Sequence, residues 1–160
     1  MHKVVSQIRS LDLIEKELNR NLSGVLAVTH SDEERIIQLA KTFIYLDKNI
    51  YIFFDADDEV FENIHLETRV SFTVLKNERD KENKARKNKQ DFIETYRLFS
   101  ISIMGIMRKV EEQKILEDIR QNYIAKYSQR SASEIKDYSS LDKLVIIDTE
   151  EIQAFEETGG

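Results

Sequence analysis

The stretch from Arg35 to Leu75 constrains the fold more than any other part of the chain. It begins with two runs rich in β-branched and aromatic residues, Ile36–Leu46 and Ile50–Phe54, which Asp47-Lys48-Asn49 separates. Two such runs joined by so short a polar segment predict a β-hairpin. Both faces of the first run are largely apolar. We therefore expect a strand buried on both sides, as in a barrel wall that also lines a binding site.

Two polar residues interrupt the first run, and they allow two interpretations. Lys41 and Thr42 lie on opposite faces of the predicted strand. They can line a binding site. Alternatively, the lysine extends along apolar surface to reach water and the threonine is an ordinary strand residue.

Four acidic residues follow the hairpin, namely Asp55, Asp57, Asp58 and Glu59. Asp57 or Asp58 is a suitable N-cap for a short helix over Glu59–Leu66, because carboxylates favour the positive end of a helix. The glycine and the distal glutamate of a calcium-binding loop are missing, so we predict capping rather than a metal site.

The remaining pattern predicts two longer helices, over Ser6–Leu22 and Glu111–Tyr127. Further strand-like runs are Val25–Thr29, Val70–Leu75, Tyr96–Val110, Leu144–Ile147 and Ile152–Phe155, and the last two count as one strand with a break near residues 148–150. In the run Val70–Leu75, Val70, Phe72 and Val74 alternate with Ser71 and Thr73. Gly105 inside a strand indicates a bulge or the close approach of another backbone.

This order of elements predicts an α+β fold, mainly β, with flanking helices. Six short strands with hairpin-type connections favour an antiparallel sheet closed into a barrel. A length of 160 residues fits a single domain over residues 1–160, with the charged loop 77–90 inserted between two strands. In that loop Lys84, Arg86, Lys87 and Lys89 form a basic cluster. The cluster is either a solvated loop or a lid that presents cations to an anionic ligand.

Composition excludes several function classes. The chain has no cysteine, so thiolate catalysis and cysteine-ligated metal sites are excluded. Only four glycines are present, two of them at the end, too few for a glycine-rich phosphate loop. The net charge of −6 argues against nucleic acid as a partner. No apolar run is long enough to span a membrane and the first residues lack a secretory pattern, so we predict a cytoplasmic protein.

Several segments resemble the pyridoxamine 5′-phosphate oxidase-like, FMN-binding split-barrel family. The matching pieces are Ser23-Gly24-Val25-Leu26-Ala27, Ile50-Tyr51-Ile52-Phe53-Phe54, Asn63-Ile64 through Thr68-Arg69-Val70-Ser71-Phe72, and Ile101-Ser102-Ile103-Met104-Gly105 followed by Lys109-Val110. In order and spacing they cover about Leu18 to Phe155. The resemblance implies a six-stranded antiparallel split barrel and a homodimer with a flavin at each end of the subunit interface.

The resemblance also implies where FMN would bind. It places the isoalloxazine near four residues of the first hairpin strand, Leu39, Ala40, Lys41 and Thr42. It places the flavin phosphate beside Phe54 and Asp55, and it implies that the partner subunit contributes from a strand near its Ser100. The function implied is that of a flavin-dependent oxidoreductase acting on a small molecule, in which the flavin carries the redox chemistry.

The chain departs from the family at the phosphate site. The family usually has Arg or Lys at the start of the short helix, where this chain has Glu59 and Val60 after Asp57 and Asp58. These carboxylates would repel a phosphate. We therefore expect weaker FMN binding than is usual for the family, and binding that Glu59→Arg would strengthen. Other cations that could substitute are Arg35, Lys41, Arg97 and the loop Lys84–Lys89.

Two other functions remain open at this point. Some split barrels bind or degrade haem, for which His30 or His65 would be the axial ligand. The chain can also be a dimeric module that has kept the barrel and lost the cofactor. Hydrolase chemistry is disfavoured because no Gly-x-Ser-x-Gly motif is present.

Overall fold

The computed structural model describes residues 2–32, 34–79, 95–128 and 143–159. Within these ranges the chain forms eight strands, two α-helices and one 3-10 helix. The strands are β1 (Lys3–Ile8), β2 (Ser23–Thr29), β3 (Ile36–Thr42), β4 (Ile44–Leu46), β5 (Asn49–Phe54), β6 (Thr68–Arg79), β7 (Tyr96–Lys109) and β8 (Lys143–Gly159). The helices are α1 (Leu11–Arg20), the 3-10 helix Glu59–Asn63 and α2 (Gln113–Tyr127).

All eight strands belong to one curled antiparallel sheet. The order across it is β3-β2-β6-β7-β8-β5-β4, and β1 pairs with the C-terminal half of β8. Since β3 and β4 are consecutive in the chain, the two ends of the sheet are brought together and the sheet forms a split barrel. The α+β antiparallel split-barrel prediction is confirmed, with eight strands in the described residues rather than six.

One additional strand comes from the N-terminus, where the helix predicted over Ser6–Leu22 is partly wrong. Residues of β1 pair with β8 from Lys3 opposite Gly159 to Ile8 opposite Ala154. The helix begins only after Ser10, whose side chain accepts a hydrogen bond from the Leu13 backbone N–H. Of its predicted apolar stripe, Ile14 and Leu18 are buried, and Leu11 and Leu22 are exposed.

The other additional strand arises because the predicted first hairpin strand is two strands. β3 pairs with β2, and only the short β4 pairs with β5. The turn between β4 and β5 is tight, with positive φ angles at Asp47 (51°) and Lys48 (67°), as favoured in two-residue hairpins. The prediction that both faces of the strand are buried is wrong for β3, where the outward-facing Ile36 is 73 % exposed.

Gly105 lies at a β-bulge, as its position in a strand predicted. The pairing of β7 with β8 shifts register between Met104 and Gly105, so that Glu150 is the extra residue of β8. A Cβ atom at position 105 would lie 2.1 Å from the Asp148 carbonyl oxygen, which leaves room for glycine alone. The predicted break in β8 is therefore this bulge, and the strand continues through it.

Two groups of buried apolar side chains hold the fold together. The larger fills the barrel and includes Leu26, Phe72, Ile101, Ile103 and Val145, and α1 closes one end with Ile14 and Leu18. The smaller lies outside the barrel, where Leu116 and Ile119 of α2 pack on Ile44, Phe53 and Leu144. The predicted Glu111–Tyr127 helix is thus confirmed as α2, and it covers the outer face of β4 and β5.

Some predictions concern other parts of the chain. The basic cluster Lys84–Lys89 and most of the loop 77–90 lie outside the described residues, although Asn77–Arg79 extend β6. Among the described residues, none of the helices has the length and apolar character needed to cross a lipid bilayer. The cytoplasmic location and the domain limits of 1–160 stay predictions.

The buried hydroxyl of Tyr45 gives the fold a sensitivity to alkaline pH. It has no hydrogen-bond partner among the described residues. Burial raises the pKa of Tyr45 to about 12, and the Glu15 carboxylate adds to the increase through its negative charge and through a contact with the hydroxyl that is too poor in geometry to count as a hydrogen bond. Tyrosine in the unfolded chain ionises near pH 10, so the stability that the neutral Tyr45 contributes below pH 10 is lost between about pH 10 and 12.

We therefore expect Tyr45→Phe to keep or slightly increase the free energy of unfolding at pH 7, because no hydrogen bond of ordinary geometry is lost. Between pH 8 and 11 the variant should lose about 1 kcal/mol less stability than the parent, measured by urea denaturation. Tyr96→Phe is the control, since the Tyr96 hydroxyl donates to Glu157 at 2.7 Å and its loss should already cost stability at pH 7. If Tyr45→Phe lowers the free energy of unfolding at pH 7 by more than about 1.5 kcal/mol, the Tyr45 hydroxyl makes a stabilising hydrogen bond and our interpretation is wrong.

Candidate functional site

An open cleft of about 440 Å³ lies along the first half of β3. Its volume falls in the usual range for small-molecule and cofactor sites. β3 and the loop before it contribute His30, Arg35, Ile36, Ile37 and Gln38, and the 3-10 helix contributes Val60 and Asn63. One wall of the cleft is thus a strand and the other is a helix. The guanidinium group of Arg35 and the imidazole ring of His30 line it where the loop before β3 meets the strand.

Backbone hydrogen bonds fix the two walls of the cleft to each other. The loop before β3 closes on itself through the His30 N–H, which donates to the Arg35 carbonyl at 2.9 Å. The Ser31 N–H donates to the Asn63 carbonyl at 2.8 Å, and the His65 N–H donates to the Thr29 carbonyl at 3.0 Å. The separation of the walls is therefore set by main-chain geometry.

β3 also offers an open edge of backbone. It pairs with β2 on one side and stands at the end of the sheet order, so its other edge pairs with none of the described strands. Backbone N–H and C=O groups need partners, and an unpaired strand edge can supply alternating donors and acceptors to a ligand.

Lys41 is held in an ion pair at the mouth of the barrel. Its Nζ lies 3.3 Å from Oδ2 of Asp58 and 4.1 Å from the centre of the Phe54 ring. Its side chain is only 19 % exposed. Asp58 is also the N-cap of the 3-10 helix, as predicted, because its Oδ1 accepts from the Val60 N–H at 3.0 Å.

A second lysine, Lys143 of β8, contacts the same 3-10 helix, and the sequence did not indicate it. Lys143 pairs through Nζ with Glu62 at 3.2 Å and stands over the Phe61 ring at 5.1 Å. It reaches this place because β8 pairs with β5, with Lys143 opposite Phe54. The two residues are separated by almost ninety positions, so no local pattern could have found the contact.

The predicted FMN-binding residues are divided between the two faces of β3. Leu39 and Lys41 face inward, and Leu39 packs against the barrel core. Ala40 faces outward and is exposed. Thr42 lies at the end of the strand, where its Oγ1 is 2.9 Å from the Tyr123 hydroxyl of α2.

The other three predicted residues lie elsewhere. Phe54 is fully buried and contacts the site through Lys41. Asp55 is exposed, and its carbonyl accepts from the Asp58 N–H at 3.0 Å. Ser100 of β7 is separated from β3 by β2 and β6, so within one chain it is remote from the cleft.

Of the cations considered as replacements at the phosphate site, Arg35 lies in the cleft. Lys41 is paired with Asp58. Arg97 is at a different place, where its Nε lies 2.6 Å from Oε1 of Glu156.

The two histidines differ in position. His30 lines the cleft, and its Nδ1 accepts from the Asp32 N–H at 3.1 Å, so the proton of the neutral ring lies on Nε2, which can donate to an oxygen of a ligand. His65 is exposed. Across residues 2–32, 34–79, 95–128 and 143–159, no group of three or more His, Asp or Glu side chains could hold a metal ion.

Helix α2 fixes the point at which β3 becomes β4. The Phe43 N–H donates to the Tyr127 hydroxyl at 3.0 Å. That hydroxyl lies 2.9 Å from the Phe43 carbonyl and 2.7 Å from the Leu22 carbonyl, and its single proton serves one of them at a time. Lys126 donates to the Phe43 carbonyl at 3.2 Å and stands over the Phe43 ring at 4.0 Å. The chain can change its strand partner at Phe43 because side chains of α2 form hydrogen bonds with the backbone N–H and carbonyl of this residue.

We expect Tyr127→Phe to lower the free energy of unfolding by about 1–3 kcal/mol, because it leaves the Phe43 N–H without its acceptor. The matched control is Tyr123→Phe, which removes a hydroxyl–hydroxyl contact with Thr42 and should cost about 1 kcal/mol or less. Urea denaturation of the parent and both variants measures the difference. If both variants lower the free energy of unfolding equally, the hydrogen bond to the Phe43 backbone stabilises the fold no more than the contact with Thr42 does.

Comparison with solved structures gives the same fold. A candidate 5-nitroimidazole antibiotic resistance protein from Bacteroides thetaiotaomicron is 10 % identical with a TM-score of 0.69, over 100 % of this chain and 93 % of that one. An FAD-binding protein from Mycobacterium smegmatis is 13 % identical with a TM-score of 0.62, over 96 % of this chain and 100 % of that one. A candidate pyridoxamine 5′-phosphate oxidase from Corynebacterium glutamicum is 20 % identical with a TM-score of 0.57, over 100 % and 98 %.

These identities are low, so the likeness shows the split-barrel fold and leaves the chemistry to be argued from the residues. No protein-family model and no curated protein matches the sequence.

Proposed function

We propose that the protein binds a flavin, of the FMN type, along β3 and serves as a flavin-dependent oxidoreductase for a small molecule. The observation that carries the proposal is the cleft itself, because it joins an open strand edge to a cationic end. The split-barrel structures that resemble this chain include FAD-binding proteins, which supports a flavin over other cofactors.

The strand edge suits the ring system of a flavin. The pyrimidine end of an isoalloxazine carries adjacent hydrogen-bond donors and acceptors, which free backbone groups of β3 can match. The apolar side chains of Ile36 and Ile37 provide surface for the flat ring. A bound flavin would supply hydride or electron transfer, so the protein's task is to hold and orient it.

The cationic end suits the phosphate. Arg35 and His30 lie together there, and a guanidinium binds a phosphate through paired N–H donors. The phosphate would then lie beside Val60 and Asn63, on the side of the 3-10 helix that lines the cleft, and Arg35 would supply the cation that the start of this helix lacks. A helix of five residues has little dipole to offer there.

We also propose a homodimer that joins the outer faces of two sheets. Leu75 and Phe155 are 58 % and 37 % exposed, and Ser100 lies between them in the strand register. Ala40 is on the same outer face, since Ala40, Val25 and Thr73 are paired across β3, β2 and β6. Exposed apolar side chains that share a face favour an interface. In a dimer built on this face, Ser100 of the partner subunit would approach the β3 site.

Haem is the second candidate, and the observation in its favour is the position of His30 in the cleft. Iron ligation through Nε2 would require the ring proton to move to Nδ1 and the contact with the Asp32 N–H to break. A cofactor-free dimer is the third. The absorption spectrum of the purified protein with added FMN or haem separates them, because a bound flavin, a Soret band and the absence of both are distinct results.

The first test uses the phosphate. We expect Arg35→Gln to weaken FMN binding by about tenfold or more, because a charge-assisted hydrogen bond is lost, and to change riboflavin binding by less than about twofold. Titration of flavin fluorescence measures both. Arg9→Gln, at an exposed arginine outside the cleft, should leave both affinities unchanged. Equal weakening of FMN and riboflavin would show that the phosphate does not bind Arg35.

The second test concerns assembly. Light scattering at micromolar concentration should give twice the chain mass of 18.8 kDa. Leu75→Glu places a charge on the proposed interface and should give a monomer. Ile115→Glu, at an exposed position of α2, is the control and should remain dimeric. A monomeric parent protein would contradict the proposed interface.

A further inference from the structure

A second cavity, of about 90 Å³, lies between helix α1 and one end of the strands β6, β7 and β8. Five of its seven lining side chains are charged, and the other two are Leu13 and Phe99. It shares no lining residue with the cleft. The two lie toward opposite ends of β6, because Gln38 of the cleft is in register with Ser71 across β2, whereas the cavity begins at Lys76. The cavity is therefore a separate site.

The inward face of the sheet changes from apolar to charged at this cavity. Side chains on one face of a strand are two positions apart, and along β6 the inward series is Phe72, Val74, Lys76 and Glu78. The first two are buried in the barrel core. The last two line the cavity, and Glu78 stands opposite Arg97 of β7. The alternation that builds the core thus continues with charged residues under α1.

The charged groups of the cavity form ion pairs. The Lys76 Nζ lies 3.4 Å from Oε2 of Glu17 and 2.9 Å from Oε1 of Glu78. The Arg97 Nε donates to Oε1 of Glu156 at 2.6 Å. The side chain of Glu17 is only 10 % exposed. Buried ion pairs often stabilise a fold no more than apolar residues of similar volume would. The packing of α1 on the sheet therefore does not account for this choice of residues.

One of these pairs keeps hydrogen-bonding capacity for a ligand. Among the described residues, the two terminal nitrogens of Arg97 have no hydrogen-bond partner, and neither has Oε2 of Glu156. Because Nε and Oε1 of the same two groups are already in contact, covalent geometry keeps the remaining donors close to the remaining acceptor. A ligand in the cavity can therefore contact a positive and a negative group at once.

We propose that this cavity is a binding site for a small zwitterion, an α-amino acid of the size of glycine or alanine. Its carboxylate accepts paired N–H donors from Arg97, and its ammonium group donates to Glu156. Three carboxylates and two cations line the cavity, and Arg20 makes the charges equal, because it pairs with Glu17 at 3.6 Å from outside the lining. Such a site favours neither a simple anion nor a simple cation. An α-amino acid carries both charges on one carbon atom and satisfies both groups.

The volume of the cavity limits the ligand to small amino acids. A water molecule in the liquid occupies about 30 Å³, so the cavity corresponds to about three water molecules, or about five or six non-hydrogen atoms. The buried ring of Phe99 and the side chain of Leu13 provide apolar contact for a methyl group. The contact area is small and the Arg97 side chain is 58 % exposed, so we expect weak binding, with a Kd of about 1–10 mM.

Amide NMR spectra of the isotopically labelled protein, titrated with L-alanine at neutral pH and constant ionic strength, test the proposal. The signals of Arg97, Phe99 and Glu156 should shift and saturate with a Kd in this range, and those of Ile37 and Gln38 in the cleft should not shift. Propionate and ethylamine each carry one of the two charges of alanine, and both should bind at least about tenfold more weakly. The absence of saturable shifts at the three cavity residues overturns the proposal, as does equal affinity for alanine and either single-charge probe.

Two variants test the assigned contacts. Arg97→Lys keeps a positive charge beside Glu156 but removes the paired N–H donors, and Glu156→Gln removes the charge that receives the ammonium group. Each should weaken alanine binding by about threefold or more. Arg108→Lys is the matched control, because Arg108 lies on the same strand and pairs with Glu67 outside the cavity. It should bind alanine as the parent does. Unchanged affinity in Arg97→Lys or in Glu156→Gln overturns the assignment, and so does an equal loss in Arg108→Lys.

Discussion

The hydrogen bonds between the Tyr127 hydroxyl and the Phe43 backbone are the contact on which the split barrel depends. At Phe43 the chain leaves its pairing with β2 and begins its pairing with β5. Neither strand can satisfy the backbone at such a point, and a buried N–H without a partner is costly. Because α2 supplies the hydroxyl, the packing of α2 on the outer sheet and the direction of β3 are coupled. The open edge and the cleft follow from that direction.

The sequence predicted the parts of the fold that local pattern determines. Alternation and apolar spacing located β7, α2 and the strand after the 3-10 helix, and Asp58 was correctly identified as a cap. The change of pairing at Phe43 was missed, because an apolar run from Ile36 to Leu46 has the same composition whether it is one strand or two. β1 was missed because its exposed residues gain order from β8, a partner that lies more than a hundred positions away.

Less of the candidate site could be predicted, again because its contacts join residues that are distant in sequence. The residues Leu39–Thr42 lie on β3 but do not line the cleft, and their role in binding stays a prediction, whereas Arg35, named among the possible cations, does line it. The role of the acidic residues could not be read from the sequence, because charge alone does not show which carboxylates are paired. Lys143 supplies a charge that is distant in sequence, and Arg97, which looked equivalent to Arg35, is paired with Glu156 in another region.

Strand β8 has a consequence for how the chain acquires its structure. It pairs with β7 along one edge and with β5 and β1 along the other, so β1 finds its partner, and β5 and β7 find their second partner, only when it is in place. During synthesis on the ribosome these strands emerge first and present unpaired edges, which can associate with other chains. Contacts of such long sequence separation also form slowly. The late arrival of one strand therefore leaves nascent chains of this protein with open strand edges until residues 143–159 have left the ribosome.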